Sequence, residues 1–389
     1  MPLLTPAPVL LSGDAPRRQP LRPPAFRIDG FDEKYDFDTL FYDAFFDAAG
    51  REVVALGPPL LNLRPALARM RATALPSGTP CHLRIREMDR HAQVRIAVPP
   101  GTERLTLAGE LGDFVLTPRP NRCALFHGRR VLFTLSRNNR LDWIQDWIRY
   151  HRDIHGADAV LIYDNASTRY GPGELAAAIA AVSGIAGAIV SWPFKYGPQG
   201  LDAKRFWDSD YCQNGAWEHA RRCFLARARS VMNADIDELV VSNGDAGAFE
   251  AAERSPFGIV RYRGAWVPGI AGLTRTATDQ APIRHRDFEH ILRPLHSRRF
   301  GVLPAVADRC PPKWAVVPAR CPERAQWCAH NIKRWIAALP VTARFSYRHF
   351  REINDNWKYD RSPRVAYDPV RHVHDPALAG NYSKVDWGA

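Results

Sequence analysis

Two carboxylates one residue apart, Asp235 and Asp237, followed at once by Glu238, are the densest piece of chemistry in this chain. They stand in the run S-V-M-N-A-D-I-D-E-L-V-V (230–241), with Val231 and Met232 before them and Leu239, Val240 and Val241 after. Such a run reads as a buried strand that ends in an acidic cluster. Ionised carboxylates are costly to bury unpaired, so the cluster is expected at a strand end, against a cation. Hard divalent ions such as Mg²⁺ or Mn²⁺ take carboxylate oxygens and share them with phosphate oxygens. Asp235 and Asp237 are therefore a candidate metal and diphosphate site. A solvated acidic turn is the plainer alternative for the tripeptide taken alone.

The elements that must position this cluster are legible from periodicity. Residues 130–135 (R-V-L-F-T-L) and 159–163 (A-V-L-I-Y) are continuous apolar runs of the kind found inside parallel sheets. Residues 188–192 give a third such strand and 230–234 a fourth. Leu141, Ile144, Trp147 and Ile148 share one face of a helix over 141–151. Further helices are expected over 173–182 and 214–229. This alternation specifies an α/β class, a doubly wound and mostly parallel sheet with right-handed crossovers. Ligands on such sheets bind beyond the carboxyl ends of the strands. The polar loops 136–139, 164–167 and 235–238 all follow strands and are expected to converge there.

Upstream, residues 1–25 are rich in Pro and Arg and are expected to form a disordered tail. Residues 26–120 read as a smaller β-rich domain, with strands at 82–86, 93–98, 104–107 and 113–117 and one helical patch at 61–74. Residues 118–121 (P-R-P-N) read as a linker. The catalytic layer is expected over 126–360, with a C-terminal extension at 361–389.

The 389 residues carry a formal net charge of +12 and 46% hydrophobic residues, enough for a full core. The basicity suits an anionic partner: phosphorylated substrates, or an anionic membrane surface. No zinc-finger or RNP-type signature points to nucleic acid, so none is expected. Seven cysteines without close pairs fit reduced thiols and a cytoplasmic setting. Cys310, Cys321, Cys328 and His330 lack the Cys-x-x-Cys spacing of a zinc site. No apolar run reaches the roughly 20 residues that span a bilayer. No glycine-rich dinucleotide fingerprint or phosphate loop is present, which disfavours hydride transfer and P-loop hydrolysis.

The blocks F-T-L-S-R-N-N-R-L-D-W-I-Q-D-W-I-R-Y-H (133–151), L-I-Y-D-N-A-S-T (161–168) and A-D-I-D-E-L (234–239) resemble glycosyltransferases of family 92 and the related family-2-like enzymes. K-W-A-V-V-P (313–318), H-N-I (330–332) and Y-R-H-F-R (347–351) look like later signatures of that group. The resemblance covers roughly 130–360. It implies a type-A glycosyltransferase fold, a nucleotide-diphosphate sugar donor, a glycan or glycoconjugate acceptor, and Mn²⁺ or Mg²⁺. It matches Asp235 and Asp237 to the metal and ribose-phosphate carboxylates, and His330 or His349 to a late histidine that completes the shell. Asp164 matches the acid that contacts the nucleoside, with Asn138 and Asn165 beside it. Two positions depart from the pattern. Asn139 stands where the group has an acid, a role lost or taken by Asp142, and Arg169 follows Thr168 where an acid often closes the loop.

Glycosyl transfer requires the leaving diphosphate to be neutralised, so Lys313 and Arg348 are candidate phosphate contacts. Inversion requires a carboxylate base, for which Glu238, Asp279, Asp287 and Glu289 are candidates. Trp207, Trp217, Trp266 and Trp314 are candidates for stacking on sugar rings, each with a core role as the alternative. Trp143 and Trp147, at helical spacing, are packing residues, and His151 is expected to be buried. His285, His290 and His296 fall in the Arg-rich stretch 284–299, which reads as a basic loop or solvated surface. A non-catalytic glycan- or nucleotide-binding protein on the same fold is the alternative function.

Overall fold

The computed structural model describes residues 1–199, 203–276, 282–299, 303–307, 310–354 and 364–388. Among these, nine strands build a central sheet. They are β1 (Leu3–Leu4), β2 (Arg130–Ser136), β3 (Ala159–Asp164), β4 (Ala186–Ser191), β5 (Ser230–Asn233), β6 (Glu238–Ser242), β7 (Ile259–Val267), β8 (Cys310–Val316) and β9 (Thr342–Phe350). Their order across the sheet is β1-β4-β3-β2-β5-β8-β7-β9-β6. The first five run parallel, and β8 and β6 run antiparallel to their neighbours. The sheet is thus mostly parallel, in a mixed α/β fold.

Strand alternation explains the two-sided burial. In β2, Val131 and Phe133 face one core while Leu132 faces the other. In β3, Ala159, Leu161 and Tyr163 oppose Val160 and Ile162 in the same way. A residue period of two on a sheet covered on both faces makes every position apolar. One face is covered by α1 (Leu141–His155), α2 (Pro172–Ala180) and α4 (Ala248–Arg254), and the other by α3 (Tyr211–His219). α1 stops at Gly156, whose φ of 72° is the left-handed value that glycine adopts at low cost. The helix expected over 214–229 is shorter than its apolar pattern. After His219 it widens into a π turn (Ala220–Phe224), from which Arg221 reaches Pro322 O at 2.7 Å and Arg222 reaches Glu323 O at 2.9 Å.

The N-terminal β region holds two four-stranded antiparallel sheets around their own core. The expected strands are present at Leu83–Glu87, Ala92–Ala97, Arg104–Gly109 and Gly112–Leu116, joined by Asp43–Phe46 and Glu52–Gly57. The helical patch expected over 61–74 is a correction. Only Leu61–Leu63 and Arg64–Ala68 coil, and Arg71–Leu75 pairs with Arg104–Gly109, so sheet pairing overrides the apolar spacing. The segment expected as a disordered tail is ordered. Leu3–Leu4 extends the central sheet, and the buried Arg18 donates to Pro59 O, Asp36 O and Thr39 O at 2.6–2.7 Å. Arg22 forms a fully buried fork on Asp208, both bonds 2.8 Å. Nor is the C-terminal segment a mere extension. α5 (Pro376–Tyr382), capped by Asp375, places Leu378 in the main core, and His372–His374 pairs with His290–Leu292. No helix is long and apolar enough to cross a membrane among the described residues.

One device secures the edge strand β6, which carries Glu238. His151 and His155 lie one turn apart on α1 and are both buried. The His155 Nε2–H group donates to Val240 O at 2.5 Å, and His151 Nε2 accepts from Val240 N at 3.4 Å. His155 Nδ1 also accepts from Ala248 N at 3.1 Å, at the start of α4. The outward amide and carbonyl of the edge are thereby satisfied by neutral imidazoles. Burial depresses both pKa values, His155 to about 4. The unfolded chain takes up protons near pH 6.5 and the folded chain does not, so stability is complete above pH 6.5 and falls as pH drops towards 4. For His155 the loss is about 3 kcal/mol. Urea unfolding at pH 7.5, 6, 5 and 4 should show this slope, and His155→Phe should flatten it while lowering stability at pH 7.5. A variant with the wild-type slope would remove His155 as its origin.

Candidate active site at the acidic turn

β5 ends at Asn233, and the chain turns back into β6 within four residues. In the turn Ala234-Asp235-Ile236-Asp237, apolar and acidic side chains alternate, with Ala234 and Ile236 buried in the core. The turn closes by a bond from Glu238 N to Asp235 O at 3.0 Å, and Glu238 Oε2 folds back to accept from Asp235 N at 2.9 Å. Two outside groups fix its backbone. The His285 Nε2–H group donates to Ile236 O at 2.9 Å, and Phe350 N donates to Asp237 O at 2.9 Å.

Lys313, on β8, is fully buried and lies between two of the carboxylates. Its ammonium is 2.8 Å from Asp235 Oδ2 and 2.9 Å from Glu238 Oε2. Burial works against the ammonium, but Asp235 and Glu238 outweigh it and hold its pKa above the ordinary lysine value. Burial raises the pKa of Glu238, with Asp235 and Asp237 adding to the rise and Lys313 and His349 opposing it. Two N–H groups point at Glu238 Oε2, a geometry that suits the ionised form.

The remaining carboxylate meets a histidine. His349, on β9, pairs in register with Glu238 and with Trp266 of β7. His349 Nε2 is 3.0 Å from Asp237 Oδ2, and Nδ1 is 3.6 Å from Glu238 Oε1. Its ring lies against Trp266, with centroids 4.4 Å apart. Among the described residues, Asp237, Glu238 and His349 each bring one ligand atom to within 4.8 Å of the others. Glu238 Oε1 is buried and accepts no hydrogen bond. An orphaned carboxylate oxygen beside a second carboxylate and an imidazole fits a divalent cation that takes oxygen and nitrogen ligands.

The residues expected around a metal are only partly brought together. Asp237 and His349 stand together as expected, Glu238 joins them, and Asp235 is engaged by Lys313. His330 is exposed, on the turn between Gln326–Trp327 and Ile332–Lys333, outside the cluster of three. That turn is tethered to the end of β5, where Asn233 Nδ2 donates to Ala329 O at 2.6 Å. Arg348, one residue from His349 on β9, is turned to Asp375 and Ser346 instead of the carboxylates. The cysteines join no such cluster among the described residues.

The loops after β2 and β3 converge as expected. Asn138, at φ 56°, donates its backbone N–H to Ser167 Oγ at 2.8 Å and accepts from Thr168 N at 2.7 Å. Asn165 Nδ2 donates to Trp192 O and Phe194 O, at 2.7 and 2.8 Å. Asn138 and Asn165 are therefore pins that set the loops. Asp164 accepts from Ser167 Oγ at 2.5 Å and stays half-buried, its pKa raised by burial. Asn139 donates to Ser136 Oγ at 2.9 Å. Asp142 sits in the first turn of α1, where Arg140 donates to both of its carboxylate oxygens.

The candidate bases are scattered. Glu238 is buried beneath Lys313, Asp287 is held by Arg275 and by Arg284 N, Glu289 is exposed, and Asp279 lies outside the described residues. Trp217 and Trp314 are core residues, and Trp207 is half exposed beneath Arg90, which leaves Trp266 as the indole beside the cluster. His285, read from sequence as part of a loop, is instead the buried clamp on the turn. Its signal was not local: nothing in 284–299 announces a contact with Ile236.

Removing Lys313 strands two carboxylates. Lys313→Met should cost about 3–5 kcal/mol at neutral pH, and adding Glu238→Gln should restore part of it. Denaturant unfolding of the single and double variants measures both effects. An unchanged midpoint in the single variant would show that the ammonium does not stabilise the turn.

No protein-family model matches the chain, and no curated protein matches it. Among solved structures, the mannosyltransferase Ktr4p from S. cerevisiae in complex with GDP overlaps 38% of this chain and 42% of its own, at 10% identity and a TM-score of 0.24. A second structure of Ktr4p overlaps 38% and 41%, at 9% identity and a TM-score of 0.22. The chain therefore spans less than half the length of those structures, and overlaps this slight establish neither a shared fold nor a shared activity.

Proposed function

We propose that the chain is a metal-dependent, inverting glycosyltransferase of the type-A fold, moving a sugar from a nucleotide-diphosphate sugar to a glycan or glycoconjugate acceptor. The observation that carries the proposal is the cluster of Asp237, Glu238 and His349, braced by Lys313, at the carboxyl end of a parallel strand. β2 lies between β3 and β5, and all three run the same way, so their loops share one edge of the sheet. That edge is where ligands of such sheets bind. The ordered blocks around 133–151, 161–168 and 234–239 support the same reading.

Asp237, Glu238 and His349 would hold Mn²⁺ or Mg²⁺, which when bound neutralises the charge gathering on a departing diphosphate. Lys313 adds fixed positive charge behind the carboxylates and holds Asp235 and Glu238 together. His285 and Phe350 N fix the turn before substrate arrives, so little reorganisation is left for the reaction. Trp266, against His349 and beneath the Arg351 guanidinium, is the candidate indole for contact with a sugar ring. Asp164, at the end of β3, is the candidate acid for the nucleoside.

A panel of nucleotide sugars, screened by thermal shift with and without Mn²⁺, should return a donor that raises the melting temperature and is turned over. Asp237→Asn should lose the Mn²⁺-dependent part of that shift and lower turnover by roughly 10²–10³-fold. Wild-type turnover in Asp237→Asn would overturn the assignment. Binding of a nucleoside diphosphate without release from its sugar would identify a binding protein instead.

A further inference from the structure

On the opposite half of β9 from His349 the chain presents a different kind of surface. A 3₁₀ turn, Ile336–Ala338, precedes β9, and its tip is apolar and exposed: Ile336 is 81% exposed and Leu339 69%. A 3₁₀ turn has three residues per turn, so positions 336 and 339 lie above one another and form one ridge. Trp335 and Val341, both half-buried, flank it, with the exposed Pro340 between. The ridge is rigidly mounted, because the buried Arg261 donates to Ala338 O and to Leu339 O, the latter at 2.9 Å.

The surroundings are basic. From Arg324 to Arg344 the sequence holds four Lys or Arg residues and no Asp or Glu. Between Arg254 and Arg275, which includes β7, there is again no acidic residue. Arg334 and Arg344, which flank the ridge in sequence, are exposed, as is Arg263 on β7. Lys333 is partly exposed and meets Asp89.

We infer that this ridge is a membrane-docking element that inserts Ile336 and Leu339 into the interface of an anionic lipid bilayer. An exposed branched aliphatic pair gains free energy by leaving water, and arginines at its flanks meet anionic headgroups. The chain's net charge of +12 acts in the same direction at longer range. Thr342 and His349 are seven residues apart on one strand, about 23 Å. The ridge therefore binds the bilayer while the acidic cluster stays clear of it.

Co-sedimentation of the full chain with phosphatidylglycerol vesicles and with phosphatidylcholine vesicles tests this. Binding should be seen with phosphatidylglycerol, be much weaker with phosphatidylcholine, and fall as salt rises. I336D/L339D should weaken binding by roughly 10- to 100-fold at an unchanged melting temperature, because both side chains are solvated in the folded chain. R334Q/R344Q should weaken it by about tenfold and flatten the salt dependence. Binding by I336D/L339D equal to wild type would overturn the inference. So would a concentration-dependent dimer in light scattering that I336D/L339D abolishes, which would assign the ridge to a second copy of the chain.

Discussion

A lysine ammonium with no access to water, held between two carboxylates, is the interaction on which the acidic turn depends. The turn places three carboxylates within four residues, an arrangement that repels itself unless positive charge is built in. Lys313 supplies that charge from β8, distant in sequence but paired directly with β5, the strand that leads into the turn. Once Lys313 has taken Asp235 and one oxygen of Glu238, the other oxygen of Glu238 is left to Asp237 and His349. The division of labour among three adjacent acids is therefore set by where a single cation sits. The Lys313 pair is structural, and Asp237 and His349 meet beside it.

The second support is the way β6 is held. As an edge strand it has one row of backbone groups without a strand partner. Two histidines from α1 take the place of that strand at Val240, and α5 contributes Asn381, whose side chain accepts from Ser242 N at 3.1 Å and donates to Ser242 O at 3.1 Å. The edge is closed by side chains from a helix near the start of the α/β layer and a helix near the end of the chain. This arrangement keeps Glu238 in register with His349, and register is what brings Trp266 into the same row.

The sequence made the parallel strands legible because a sheet buried on both faces leaves unbroken apolar runs, as at 130–135 and 159–163. The acidic turn was legible because A-D-I-D interrupts such a run. What could not be read was pairing across distance. Glu238 read as a candidate base because nothing local says that Lys313 covers it. Arg348 read as a phosphate contact because its neighbours gave no sign of Asp375. His151 was placed correctly as buried, but its partner Val240 lies 89 residues away. The Pro- and Arg-rich start read as disordered from composition, whereas Arg18 and Arg22 are buried through specific partners that composition does not record.

The order of synthesis gives the acidic turn a particular history. Asp235 leaves the ribosome well before Lys313, and about 110 residues ahead of His349. At roughly 5–20 residues per second, the nascent chain carries three adjacent negative charges without their counterparts for roughly 5–20 s. During that interval β5 has β2 to pair with but lacks β8, so the parallel half of the sheet can form first with an unfinished margin. Completion of the carboxylate cluster then waits for β8 and β9, so the acidic turn acquires Lys313 and His349 only after the parallel half of the sheet has its strands.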